Sequence, residues 1–415
     1  MDAVRTPDEP TGALLLVIPA VATLADGRVR LDGDFANNLK GYLTAFATVT
    51  VMCPPVQSSY TFPSLIDPAE LDGADRLRIL LLPIPYREDR YLLKRGAVIR
   101  QLDAEIARAD CILLSPHAPF DWSVLAADRC IRLHKPYNME ADWDGPAMWR
   151  FMLANMPRGL KRWRKRSSYW WFGRGYRRAL THSTIALLQG GDVYEGLAPL
   201  APRPFMVLNV QVTREEHIDA PTLAEKIERV RAGAPLSLVY AGRADEIKGP
   251  LEWLETVARL RDAGLDFVAT WAGDGPMLAQ MRRFVAERDL GDRCRLLGTV
   301  SRPEARALIE QADLFLYCHM TRESPRCLVE ALALGSPIVG FGSAYSRGLV
   351  APHGGGRFVA IGDSAALATE VEALAHDRAA LAQLIDDAAR SGALLERDVA
   401  IAERIRLMKS YLGAV

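Results

Sequence analysis

The sequence predicts an α/β protein made of two doubly wound, Rossmann-like domains facing a cleft. Three observations predict it. Apolar runs of strand length alternate with longer amphipathic stretches along almost the whole chain, the pattern of parallel strands joined by crossover helices. The alternation is broken by a charged segment ending in Gly233-Ala-Pro235 and restarts more cleanly at Leu236. A chain of 415 residues is also long enough to build two separate cores.

In the first domain, 1–212, GALLLVIPA (12–20) reads as the opening buried strand. DGDFANNLKGYLTAF (32–46) reads as a loop around Gly33 that leads past Asp34 and Phe35 into a helix, and ATVTVMCPP (47–55) as a second strand. RILLLPIP (78–85) is a third strand. KRGAVIRQLDAEIARAD (94–110) spaces Val98, Ile99, Leu102 and Ile106 as one helical face, and the strand CILLSP (111–116) follows. FDWSVLAADRCIRL (120–133) is helical, and HKPYNMEADWD (134–144) begins as a short strand. STIALLQGGDVYEGL (183–197) and PFMVLNVQV (204–212) close the domain. His117 follows the strand at 111–116, where open α/β sheets place ligand contacts, although a structural histidine fits there too. His134 reads as structural.

PRGLKRWRKRSSYWWFGRGYRR (157–178) departs from the alternation. Lys161, Arg162, Arg164, Lys165, Arg166 and further arginines stand there with no acid, interleaved with Trp163, Trp170, Trp171 and other aromatics. Cations with tryptophan suit an anionic membrane interface, where each cation contributes about 1 kcal/mol. A solvated helix packed through its aromatics also accounts for the run. No apolar stretch approaches bilayer-spanning length, and the polar first ten residues do not read as a signal peptide. Lys plus Arg and Asp plus Glu are both 51, so no global field draws nucleic acid. The six cysteines (53, 111, 130, 294, 318 and 327) form no CxxC pair and read as buried free thiols of a reducing compartment. A cytoplasmic protein is expected, peripheral on the inner face of the plasma membrane if the basic run binds lipid.

Residues 213–235 read as a linker, 236–394 as the second domain, and 395–415 as a terminal helix returning to the first. LSLVYAGR (236–243) is a strand, the segment from Pro250 to Leu260 a helix, and FVATWAGDGP (267–276) a strand and turn. A helix (277–288), the strand CRLLGTV (294–300), a helix (303–311) and the strand 314–320 follow. TRESPRCLVEALALG (321–335) then carries a polar turn into a short helix that stops at Gly335, and Pro337 to Phe341 is the next strand. A loop to Gly356, RFVAI (357–361), a helix from about Asp363 and a last helix within 394–412 complete the chain.

Several turns of this domain carry chemistry. Arg243 and Lys248 flank a strand-to-helix crossover, where a planar fork of donors and a point charge can neutralise a diphosphate; an ordinary solvated loop is the plain alternative. Gly273 and Gly275 allow backbone to approach a ligand, as they would equally serve a simple turn. Ser324, Pro325 and Arg326 open a helix whose N-terminus can receive an anion. Glu330 lies among Leu328, Val329, Ala331 and Leu332, where a lone acid is rarely left unpaired.

In this order, over about 236–341, the turns resemble the donor half of retaining GT-B-fold glycosyltransferases of family 4, the group 1 glycosyltransferases. The resemblance implies transfer of a sugar from a nucleotide-diphosphate sugar to a hydroxyl acceptor, plausible on a lipid-linked saccharide of bacterial surface polysaccharide. Arg243 and Lys248 would hold the diphosphate, Gly273 and Gly275 would line the sugar, and Leu297-Gly298 would run beside the base. Ser324, Pro325 and Arg326 would present the helix N-terminus to phosphate, Glu330 would hold the ribose, and His117 would face the sugar. The acceptor would fall to Gly33, Asp34 and Phe35. The resemblance implies that no metal or other cofactor is needed, and nucleic acid is not an expected partner. Its motif has two glutamates with seven residues between them; here Glu323 and Glu330 have six, and Arg322 holds the expected place. Glu323 is therefore expected to take the first glutamate's role by a one-residue shift. A nucleotide-sugar epimerase of the same fold, a non-catalytic nucleotide-sugar binder and a membrane-surface protein are the alternatives.

Overall fold

The computed structural model describes residues 10–412 other than 26, 57–61, 63, 85–87, 119 and 155. The polar residues 1–9 and the end of the apolar run 78–85 thus lie outside the described residues. The chain divides into two compact units, one comprising the segments to Gln189, Val193–Leu208 and Asp398 onward, the other Gly190–Asp192 and Asn209–Arg397.

The first unit is built on strands β1 (Ala13–Val17), β4 (Thr48–Cys53), β6 (Leu77–Leu81), β7 (Cys111–Leu114), β8 (Asn138–Ala141), β9 (Ala186–Gln189) and β10 (Pro204–Val207). They form one parallel sheet in the order β10-β9-β8-β7-β1-β4-β6. Side chains alternate across it: Leu15 and Val17 join one core cluster, and Leu14 and Leu16 join the other. Helices α1 (Gly33–Ala45), α2 (Glu88–Arg108), α3 (Trp122–Arg132), α4 (Gly145–Ala154), α5 (Leu160–Thr181) and α6 (Gly191–Leu197) make the crossovers. The strands are shorter than the apolar runs that announce them, because those runs continue beyond the ladder into the turns at the sheet's carboxyl edge.

Two features of this unit differ from expectation. The residues around Gly33 are not a loop. Asp32 caps α1 by accepting from the Phe35 amide at 3.3 Å, so Gly33, Asp34 and Phe35 are its first turn. A small antiparallel sheet, β2 (Ala22–Ala25), β3 (Arg28–Asp32) and β5 (Leu65–Ile66), lies outside the predicted pattern. Its signal was the turn glycine Gly27, at φ 72°, between two short alternating runs.

The second unit holds α7 (Ala220–Arg231) and the strands β11 (Leu236–Ala241), β12 (Phe267–Ala272), β13 (Cys294–Gly298), β14 (Leu314–Tyr317), β15 (Ile338–Phe341) and β16 (Gly356–Val359). These are parallel in the order β13-β12-β11-β14-β15-β16. Helices α8 (Pro250–Asp262), α9 (Leu278–Glu287), α10 (Arg302–Gln311), α11 (Arg326–Ala333), α12 (Ala344–Val350), α13 (Ser364–His376) and α14 (Arg378–Gly392) connect and cover them. The stretch 342–356, expected as a loop, contains α12, and α13 and α14 are separate helices.

Residues 213–235 are not a linker. After a short 3-10 turn at Arg214–Glu216 the segment forms α7, capped by Asp219, which accepts from the Thr222 amide at 2.8 Å. Its Lys226 is buried, and Ile218 donates its amide to Ala333 at 2.9 Å. The density of charge suggested a solvated connection, but Lys226 and Val230 lie one turn apart on a buried face.

The final helix, α15 (Arg397–Ser410), belongs almost wholly to the first unit. Its Ile401, Ile405, Leu407 and Met408 complete one core cluster there. Gly41 of α1 leaves the room this needs: a Cβ at that position would fall 2.3 Å from Ile401 Cγ2.

Candidate active site

In the second sheet β11 lies between β12 and β14, so the winding reverses there. Open parallel sheets bind ligands outside the carboxyl ends of strands at such a reversal. The turns after β11, β12 and β14 all leave from this edge.

Gly249 sets the first turn. It is left-handed at φ 61° and precedes α8, and a Cβ there would fall 2.0 Å from the Cys318 carbonyl oxygen. Only glycine permits both the conformation and the approach. The start of α8 therefore abuts the turn after β14, and Met320 donates its amide to Ile247 at 2.9 Å.

That contact brings Lys248 to Glu323: Nζ donates to Oε1 at 2.7 Å, with both side chains largely buried. Burial pushes the Glu323 carboxyl above its ordinary value, and Lys248 offsets part of the rise. Arg322, its neighbour, is exposed. The same Oε1 lies 3.3 Å from His319 Nδ1, at an angle short of a good hydrogen bond. His319 is 5 % exposed, and its Nε2 is 2.8 Å from the Tyr240 hydroxyl. Burial, then the charge of Lys248, hold the imidazole well below its ordinary value, so it is neutral. Burial likewise keeps the Tyr240 phenol protonated. Tyr240 is wedged against Trp271, with ring centroids 4.1 Å apart.

The glycines of the second turn serve close packing of backbone. A Cβ at Gly273 would meet the Gly242 carbonyl at 2.0 Å, and one at Gly275 the Ala244 carbonyl at 2.3 Å. Gly273 donates its amide to Gly298 at 2.8 Å, which draws the end of β13 to the same rim and leaves Leu297 exposed. Arg243 projects into solvent, 3.8 Å from Asp245. An exposed pair at that distance is worth at most about 1 kcal/mol, too little to hold the guanidinium away from a phosphate.

Pro325 is the N-cap of α11 and Arg326 its first residue, while Glu330 lies half-buried a turn later. Gly190 packs on this turn, since a Cβ there would fall 2.5 Å from Ser324 Oγ and 2.3 Å from Tyr345. Asp192 accepts from the Ala344 and Tyr345 amides at 3.2 and 3.0 Å and so fixes α12. Among the described residues no group of His, Cys, Asp and Glu side chains forms a metal-binding cluster.

In the first unit, His117 stands at the carboxyl end of β7, stacked on Trp143 at 4.6 Å with Nδ1 3.7 Å from Asp142. Burial pulls its pKa down, but Asp142 and Asp121 outweigh this and leave it raised. Asp34 is half-exposed on α1, while Phe35 packs on the core. On α5, Tyr169, Phe172 and Tyr176 are buried around Trp149. Trp163, Trp170 and Trp171 are exposed on its other face; Lys161, Arg164, Lys165 and Arg166 are exposed too, with Lys165 over the Tyr169 ring, while Arg162 is half-buried. No helix among the described residues is long and apolar enough to cross a membrane.

The sequence reading missed Tyr240, His319, Gly249 and Asp192. His319 lies within the run 314–320 that reads as strand, and only the structure, which ends β14 at Tyr317, puts it at the edge.

Solved structures of GT-B glycosyltransferases share this two-unit fold over nearly the whole chain. HepE from Anabaena, in complex with UDP and glucose, gives a TM-score of 0.67 at 13 % identity, covering 96 % of this chain and 99 % of that one. Sucrose-phosphate synthase from Thermosynechococcus elongatus gives 0.68 at 15 % identity, covering 98 % and 100 %. Residues 224–391, which lie within the second unit, match the family of glycosyl transferases group 1. The 2-deoxystreptamine glucosyltransferase of Streptomyces kanamyceticus is 33 % identical over 127 residues, 30 % of this chain and 33 % of that protein. The amylovoran biosynthesis glycosyltransferase AmsK of Erwinia amylovora is 30 % identical over 140 residues, 32 % and 34 % of the two chains. These alignments span about a third of each relative's length.

Proposed function

We propose that the protein is a retaining glycosyltransferase that moves a hexosyl group from a nucleotide-diphosphate sugar to a hydroxyl acceptor. The observation that carries the reading is the buried Lys248–Glu323 pair at the winding reversal of a group 1 glycosyltransferase domain. In this reading the bond from the anomeric carbon to the β-phosphate oxygen breaks and its electron pair leaves with the diphosphate. The acceptor oxygen bonds to the anomeric carbon from the same face, and its proton passes to the departing phosphate. Arg243, Lys248 and the amides at the start of α11 meet the growing negative charge, so the reading calls for no metal or other cofactor. Gly273 and Gly275 line the sugar, Glu323 orients it, Leu297 and Gly298 run beside the base, and Glu330 holds the ribose. Ser324, Pro325 and Arg326 frame the phosphate end of that site. The acceptor falls to the first unit, with Gly33, Asp34 and Phe35 as its candidate contacts.

A panel of nucleotide-sugars read by thermal shift, followed by acceptor trials with NMR of the product anomer, tests this. One nucleotide-sugar should raise the melting temperature and yield product of unchanged anomeric configuration. No shift across the panel would overturn the reading, and an inverted product would overturn retention.

The exposed Trp163, Trp170 and Trp171 of α5, together with its exposed cations, support the lipid-linked acceptor, reached from the cytoplasmic face of an anionic membrane. The wild-type protein is expected to sediment with phosphatidylglycerol vesicles and not with phosphatidylcholine. The variant Arg164→Glu/Lys165→Glu/Arg166→Glu should stay in the supernatant, and unchanged sedimentation would reject the membrane.

A further inference from the structure

Lys248 has two tasks in the proposed reaction that compete for its one positive charge. It holds Glu323 Oε1 at 2.7 Å, and it is the cation that a diphosphate would draw away. Once it turns to phosphate, a mostly buried carboxylate loses its charged donor, and such a group is costly to leave unmet. The other group already against the same oxygen is His319 Nδ1, at 3.3 Å. His319 is itself buried, and no hydrogen bond to Nδ1 is formed in the present geometry.

The tautomer decides whether His319 can take over. Its Nε2 is 2.8 Å from the Tyr240 hydroxyl, which sits deep between Trp271 and Phe315 and is protonated. If the phenol donates to Nε2, the ring's one proton is on Nδ1, facing Glu323. Gly242 helps this alignment, because a Cβ there would lie 2.8 Å from the Tyr240 hydroxyl oxygen.

We propose that Tyr240 and His319 are positioning residues. Tyr240 fixes the Nδ1–H tautomer of His319, and His319 takes over Glu323 when Lys248 turns to the donor diphosphate. This compensates for a glutamate displaced by one residue, which must be held from behind if its second oxygen is to address the sugar. The inference rests on the glycosyltransferase reading above.

The test uses the nucleotide-sugar that gives the largest thermal shift, together with its parent nucleoside diphosphate. His319→Leu should lower kcat by about tenfold to a hundredfold, the range of one hydrogen bond to a charged group, and weaken the nucleotide-sugar more than the bare diphosphate. His319→Asn, whose amide can donate where Nδ1 does, should restore most of the loss. Tyr240→Phe should cost several-fold alone and nothing further in the His319→Leu background. The losses of His319→Leu and Glu323→Gln should not add. A merely structural His319 would instead lower the melting temperature, affect both ligands alike, give additive losses and show no rescue by Asn. Full activity of His319→Leu beside an inactive Glu323→Gln would overturn the positioning role alone. Undiminished turnover in Glu323→Gln would overturn the glycosyltransferase role of Glu323 and this inference with it.

Discussion

Glu323 and Arg322 compete for one role, and their surroundings separate them. Glu323 is turned in onto Lys248 and His319, whereas Arg322 is exposed. Under the proposed mechanism Glu323→Gln keeps the shape and the contact with Lys248 but loses the charge. Turnover should fall by about a hundredfold or more, as when one preorganised electrostatic group is removed. Arg322→Ala should stay within a few-fold of wild type. Steady-state kinetics on the two variants checks this, and the opposite ranking would return the role to the expected register. A second residue-scale test concerns Gly249. Alanine there meets a carbonyl oxygen at 2.0 Å in a left-handed conformation, so it should cost about 1–3 kcal/mol or more and pull Lys248 from Glu323. Urea unfolding measures the first effect, and loss of nucleotide-sugar affinity out of proportion to stability reports the second. Lys248 was legible in the sequence because a charged residue at a strand-to-helix crossover stands out from apolar runs, and Glu323 because it lies one place from the first glutamate of the motif the turn resembles. Gly249 was legible only as a helix boundary, since its partner, the Cys318 carbonyl, is distant in sequence. His319 was hidden inside what read as strand.

At the scale of elements, α7 shows why the domain boundary was misplaced. Most strands of the two parallel sheets are announced by continuous apolar runs and were readable, whereas β8, with Asn138 and Glu140, is not such a run, and β9 and β10 were not read as strands. A helix that buries a lysine is not announced that way. Lys226 Nζ donates to Ser336 Oγ at 2.8 Å and to the Glu310 carbonyl at 3.1 Å, which anchors α7 to the last turn of α10 and to the turn after α11. Burial, helped by the charge of Arg229 and opposed by Asp313 and Glu310, pushes the ammonium down to about 7, from 10.5 when unfolded. The folded value is the lower one, so the unfolded chain binds more protons between them. Stability therefore rises with pH from about 7 towards 10.5 and loses this contribution below that window. Lys226→Met should flatten the rise. Urea midpoints across this range for both proteins give the difference directly, and parallel curves would show that Lys226 stays charged in the fold.

On the scale of the whole molecule, the chain passes from the first unit to the second at Leu208 and Asn209 and re-enters the first at Asp398. The returning helix α15 is held by more than apolar contact. Arg404 Nη1 meets Glu140 Oε1 at 3.0 Å, with both side chains largely buried, and Nη2 donates to the Leu208 carbonyl at 2.7 Å. Gln189 Nε2 donates to the same Glu140 oxygen at 2.8 Å. Lys409 adds a bond to the Ala45 carbonyl at 2.6 Å. A buried pair such as Arg404–Glu140 adds little over an apolar pair of the same shape, but removing one partner strands the other. Arg404→Met should therefore destabilise the first unit by roughly 3–5 kcal/mol, while Arg404→Met/Glu140→Leu should recover most of that loss. Calorimetry should show the Arg404→Met transition splitting, with the first unit melting early and the second near its wild-type temperature. A nucleoside diphosphate should raise only the later transition, because ligand stabilises only the unit that binds it. If both units melted together at the lower temperature, the final helix would be a fastener of the whole chain, not of the first unit.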